Sequence, residues 1–183
     1  MSEKLVIRHC SPTLAGLKTG SLFNCPYTTE RELTDGVRQL NRRLVPSGLR
    51  VLPMRRQAGR ALIYVYRPAR LRQDLAQPEA QRLLAERGYP CGQPERCIAR
   101  LMQRLRQTEE FPHEIGLFLG YPPEDVAGFL EHRLCKCVGC WKVYGDEQAA
   151  QKRFGQFRKC TDVYREQWLR GRPIEKLAVK YPS

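Results

Sequence analysis

The sequence predicts an α+β protein: a small, mostly antiparallel sheet covered by several helices, with a C-terminal half that is mainly helical. Three observations predict it. Two β-prone stretches, 48–54 and 61–67, flank a short loop containing Gly59 and suit a hairpin. Beyond residue 67, apolar side chains recur at helical spacing in one segment after another. The chain has 183 residues, 42% of them hydrophobic, enough to build the core of a single domain over 1–183. Within that domain, 1–67 is expected to carry most of the strands and 68–183 most of the helices.

Leu5 to His9 reads as a first strand, followed by a turn in which Ser11 caps and Pro12 takes the first helical position. Thr29-Glu30-Arg31-Glu32 has the form in which a hydroxyl and a carboxylate satisfy the free N–H groups of a helix start. Leu33, Val37, Leu40 and Leu44 continue at helical spacing until Pro46-Ser47-Gly48, so a helix is predicted over 29–45. Ala61-Leu62-Ile63-Tyr64-Val65-Tyr66 is apolar on both faces, which predicts an interior strand. Helical patterns then occupy 68–75, 78–87 up to Gly88, and 94–107, where Ile98, Leu101, Met102 and Leu105 share a face. Further helices are expected from Phe111 to Leu119 and over 124–132, separated by Gly120-Tyr121-Pro122-Pro123. Trp141 to Tyr144 reads as a strand that joins 4–10, 48–54 and 60–67 in one sheet. Asp146 can cap a long helix to about Arg170, and 173–180 adds a final turn or two.

The formal net charge is +13 and the pI about 9.7, which makes this a basic protein. The excess is local: residues 1–37 carry 4 basic and 4 acidic side chains, 38–106 carry 16 and 4, and 107–183 carry 12 and 11. Such a field attracts nucleic acid, an anionic surface or a small anion, although solvated Arg on helix faces needs no partner. No apolar run approaches the roughly 18 residues of a membrane span. Residues 1–9 lack the apolar core of a signal peptide, so a cytoplasmic location is expected. Oligomeric state is not legible.

Three constellations carry chemistry. Two of the three histidines stand beside reactive partners, His9 next to Cys10 and His113 next to Glu114. A helix start at Ser11-Pro12 could stabilise a Cys10 thiolate, with His113 as base and Glu114 orienting it. His9 and Arg67, at strand ends, would then bind an anionic small molecule or cofactor. The alternative is that Cys10 packs as a small hydrophobe and His113 only hydrogen-bonds at its helix start. Whether the chain is an enzyme stays open. Secondly, the chain is cysteine-rich, with eight. Cys135, Cys137, Cys140 and Cys160, with His132 as an alternative fourth ligand, could hold zinc or an iron–sulfur cluster, although only Cys137 and Cys140 form a C-x-x-C pair and Lys136 and Lys142 could stabilise thiolates without a metal. Thirdly, Glu114-Ile115, Leu119-Gly120, Val126 and Leu130 have the spacing of a helix-turn-helix nucleic-acid reader, but Glu124 and Asp125 would meet phosphates with like charge. Trp141 and Tyr144 read as core residues. No phosphate loop, dinucleotide fingerprint, H-E-x-x-H or G-x-S-x-G is present.

The string Phe111-Pro112-His113-Glu114-Ile115-Gly116-Leu117-Phe118-Leu119-Gly120-Tyr121-Pro122-Pro123-Glu124-Asp125-Val126 is long and specific, and Trp141-Lys142-Val143-Tyr144 and Lys159-Cys160-Thr161 follow it. Together with His9-Cys10-Ser11-Pro12-Thr13-Leu14-Ala15-Gly16-Leu17-Lys18, it resembles an uncharacterised family of bacterial proteins found mainly in anaerobic Firmicutes. The resemblance covers nearly the whole chain. It implies a domain of unknown function and brings no activity, cofactor or catalytic residue.

Overall fold

The computed structural model describes residues 2–107 and 111–180 and shows an α+β fold with an antiparallel three-stranded sheet, a two-stranded ribbon and a helical C-terminal half. The chain groups into two compact units, Met1–Ala69 with Phe157–Ser183, and Arg70–Gln156. The strand-bearing unit is thus built from two separate stretches of sequence.

The first unit begins with helix α1 (Glu3–Leu14), where a strand was expected. Leu5-Val6-Ile7 resembles a strand because of its β-branched pair, yet Val6, Ile7, Cys10 and Leu14 recur at three- and four-residue spacing and are all buried. Ser11 therefore starts no helix. Its hydroxyl donates back to the Ile7 carbonyl at 2.5 Å, and Pro12 lies inside the helix. Strand β1 (Gly20–Pro26) follows, unforeseen because Gly20, Ser21, Asn24 and Pro26 read as turn residues. Helix α2 (Glu30–Leu44) starts where the sequence placed it. The Thr29 hydroxyl accepts from the Glu32 N–H at 3.1 Å, and the Glu32 carboxylate accepts from the Thr28 N–H at 3.0 Å.

Strands β2 (Arg50–Gln57) and β3 (Arg60–Tyr66) form the expected hairpin, with β2 running on to residue 57 so that a two-residue turn replaces the longer loop. Ala58 (φ 48°) and Gly59 (φ 70°) both take the left-handed conformation that matches strand twist in such turns. The order is β1-β3-β2, so the apolar β3 is central as predicted, and a bulge interrupts the β2 pairing between Pro53 and Arg55. One sheet face, with Phe23, Cys25, Val51, Ala61, Ile63 and Val65, packs with α1, α2 and the short helix α9 (Ile174–Leu177) in one core.

Helices α3 (Pro68–Leu75), α4 (Pro78–Ala85) and α5 (Pro94–Gln107) stand where predicted. The next helix is shorter than expected: α6 covers Ile115–Phe118, and α7 covers Pro123–Leu130. Trp141 to Tyr144 does not join the main sheet. Its strand β5 (Lys142–Val143) pairs with β4 (Cys137–Val138) in a separate antiparallel ribbon. Helix α8 (Glu147–Leu169) is the predicted long helix, with the Asp146 carboxylate accepting from the Ala149 N–H at 3.0 Å. In the second unit α7 packs on α4, α6 and β5.

Candidate functional site

Within the second unit, Asp125 in the first turn of α7 organises a concave surface. Its carboxylate, 3% exposed, accepts from Trp141 Nε1, the Tyr144 N–H and the Gly145 N–H, each at 2.7 Å. These three bonds fasten the ribbon to α7 and satisfy a buried charge. Trp141 then stands between two rings, stacked on Tyr121 (centroids 4.8 Å, 26°) and edge-on to Phe154 (4.5 Å, 78°). Gly116 lets α6 come close, because a Cβ there would lie 2.9 Å from Val126 and 3.0 Å from Tyr121. Between these groups lies a cavity of about 270 Å³, lined among others by Phe111, His113, Tyr121, Phe129, Trp141 and Lys142.

The wall of this cavity mixes aromatic and aliphatic side chains with four polar ones, His113, Tyr121, Lys142 and the buried Asp125. The exposed His113 ring lies 4.6 Å from Phe129 and 6.5 Å from Phe111. Exposed Lys142 holds its Nζ 5.2 Å above the Phe129 ring, a cation–π contact. The Tyr121 hydroxyl donates to the Cys140 carbonyl at 3.3 Å, and burial, followed by the nearby Cys140, pushes its phenol up to about 12, so it stays neutral. The sequence singled out His113 but missed the cavity. Its signal was the dense aromatic content of 111–129 and 141–144, which one strand of sequence cannot distinguish from core; Trp141 is both, 8% exposed and part of the lining.

Several expectations are corrected. Cys10 lies in the last turns of α1, not ahead of a helix start, and is 0% exposed; burial pushes its thiol far above the ordinary value, so it is held protonated in the first unit's core. His113 and Glu114 belong to the second unit. Glu114 does not orient His113: at 1% exposure its Oε1 accepts from the Tyr89 hydroxyl at 2.7 Å and pairs with Arg104 Nε at 3.2 Å, tying α6 to α5. Burial and this carboxylate push the Tyr89 phenol well above its usual range. Arg67 is no anion anchor. It is 0% exposed, and its guanidinium donates to the carbonyls of Thr13 (2.7 Å), Leu14 (2.6 Å), Ser47 (3.1 Å) and Val179 (2.8 Å). His9 is exposed and stacked on Phe23 at 5.5 Å.

The metal expectation gains no support. Among the described residues no group of three or more His, Cys, Asp or Glu side chains is placed to hold an ion. Cys137 is paired in the ribbon, Cys135 and Cys140 are exposed beyond its ends, and Cys160 lies on α8 in the segment that belongs to the first unit. The helix-turn-helix reading gains no support either. Asp125, Val126, Ala127 and Gly128 of α7 are buried, the segment after Trp141 is tied to its start through Asp125, and exposed Glu124 puts a negative charge on the face that remains open. No described helix is long and apolar enough to cross a membrane.

A family model described as a protein of unknown function (DUF3793) matches residues 6–178. No curated protein and no solved structure matches the chain.

Proposed function

The chain belongs to the DUF3793 family, whose function is unknown, and from its second unit we propose that it binds a planar, anionic aromatic small molecule in the cavity bordered by His113, Phe129 and Lys142. The observation that carries this reading is the lining of the 270 Å³ cavity: aromatic rings on several sides with a lysine ammonium in reach. Ligand pockets are mostly apolar with few polar groups that fix orientation, and this volume suits one or two fused rings. Ring stacking adds about 0.5–1.5 kcal/mol per pair beyond area burial. Lys142 selects for an anion. Asp125 does not oppose it strongly, because three donors already compensate its carboxylate. His113 supplies a second polar contact. Cys10 takes no part, being sealed in the other unit's core.

Two fluorescent probes of similar shape test the reading, anilinonaphthalene sulfonate and the uncharged N-phenylnaphthylamine. The expected result is saturable binding of both at one site. Lys142→Met should weaken the sulfonate about tenfold, some 1.4 kcal/mol, and leave the neutral probe within about twofold. Phe129→Ala should weaken both. Absence of saturable binding, or equal affinities in the wild type and both variants, overturns it.

A further inference from the structure

Two of the eight cysteines line one small cavity apart from the aromatic one. Cys91, exposed, lies in the loop between α4 and α5, and Cys97, buried, lies in the first turns of α5. The Cys97 Sγ donates to the Pro90 carbonyl at 3.0 Å. That oxygen belongs to the peptide bond that enters Cys91. The bond is trans, so the oxygen stands about 2.8 Å from the Cys91 Cα. The Cys97 sulfur is therefore within about 6 Å of the Cys91 Cα, and the Cys91 Sγ lies 4.0 Å from the carbonyl oxygen of Tyr89, so the two thiols rest on adjacent carbonyls of one loop. Both side chains line one small cavity of about 60 Å³ together with Leu84, Gly92, Gln93 and Pro94. Beside Cys91 the space is open: a Cβ built on Gly92 would meet nothing within 4 Å.

We propose that Cys91 and Cys97 form a redox-active dithiol that closes to an intramolecular disulfide by exchange with a low-molecular-weight disulfide. Cys91 attacks and Cys97 resolves. The Cys91 thiolate attacks one sulfur of the disulfide RSSR, forming a mixed disulfide with R and expelling RS⁻. The Cys97 thiolate then attacks the Cys91 sulfur, closes the Cys91–Cys97 bond and expels the second RS⁻. The two thiol protons end on the two released thiolates, so the protein loses two electrons and RSSR is reduced to two RSH. The order follows from access. Cys91 is open to a bulky disulfide, whereas burial, with Cys91 and Glu95 adding to it, pushes the Cys97 thiol up to about 11 and keeps it from reacting first. Closure would fasten the loop that also carries Tyr89, the donor to Glu114.

The full-length reduced chain is incubated with glutathione disulfide, alkylated and digested with trypsin, which cuts after Arg87, Arg96 and Arg100 and so puts the two cysteines in separate peptides. In the wild type the expected product is a disulfide-linked pair, Gly88–Arg96 joined to Cys97–Arg100, with release of two glutathiones per chain. Cys97→Ser should stop with glutathione held on Cys91, and Cys91→Ser should leave Cys97 free for alkylation after denaturation. Glutathione persisting on Cys91 of the wild type, Cys91 linked instead to Cys135, Cys137 or Cys140, or an unmodified Cys91 overturns the proposal. So does Cys97 carrying glutathione in Cys91→Ser.

Discussion

Arg67 holds four carbonyl groups from three distant stretches of chain with one side chain. A buried guanidinium is costly unless its donors are met, and here the fork is met by Thr13, Leu14, Ser47 and Val179. Arg67→Met should lower unfolding free energy by about 3–5 kcal/mol, since it leaves buried carbonyls without donors. Urea denaturation would show it as a lower midpoint at unchanged slope. Arg67→Lys should recover little, because an ammonium cannot span the same acceptors. The sequence placed Arg67 at a strand end and suggested a ligand; the converging carbonyls come from residues 13 to 179 and leave no local trace. Cys10 gives a pH test. Its thiol is raised in the folded chain by burial, with Lys18 opposing weakly, so the unfolded chain releases this proton first. Its contribution is complete below the ordinary value of 9.0 and is lost as pH rises above it. Cys10→Ala should therefore flatten the fall in stability above pH about 9, measured as Tm against pH.

The α7–ribbon junction depends on close approach. A Cβ on Gly128 would enter the Tyr144 side chain, and one on Gly139 would enter the Phe154 ring. Gly128→Ala should cost about 2 kcal/mol by overpacking and weaken probe binding in the neighbouring cavity, whereas Gly155→Ala, with open space around its Cβ, should not destabilise and serves as the control. Asp125→Asn should likewise cost about 2 kcal/mol, because it removes the charge that three donors share. Calorimetry distinguishes these outcomes from the wild type. Elements were legible in the sequence where local chemistry decided them: the Thr29–Glu32 start, the apolar β3, the Asp146 cap. They were hidden where tertiary packing overrode it. Leu5-Val6-Ile7 looks like strand, but α1 buries one helical face against the sheet; Gly20 to Pro26 looks like turn, but Phe23 and Cys25 complete the core. The cavity was hidden for the same reason, since Phe129 and Trp141 become neighbours only after the Asp125 bonds bring the ribbon onto α7.

At the scale of the whole molecule, the first unit is discontinuous. Its core takes Ile174, Leu177 and Ala178 from the chain's end, with Tyr164 and Trp168 packed against them from α8, and Arg43 pairs with both Glu3 and Glu175. A chain ended at Gln156 should lose these contacts and the Val179 carbonyl together. Near-UV circular dichroism and amide exchange should show residues 1–69 unprotected in it. The charge obeys no such boundary: the basic 38–106 stretch runs through α2, the hairpin and α3 to α5, and contributes residues to both units.

The split has a consequence for synthesis. Residues 70–156 emerge from the ribosome as one uninterrupted stretch, and their unit can assemble as soon as it clears the exit tunnel. The strands precede them in translation but must wait for the last turns of the chain, with Val65, Ile63 and the Arg67 guanidinium meanwhile lacking their final partners. The strands, made before residues 70–156, are thus completed after them. During that interval its apolar strands are what a chaperone would hold.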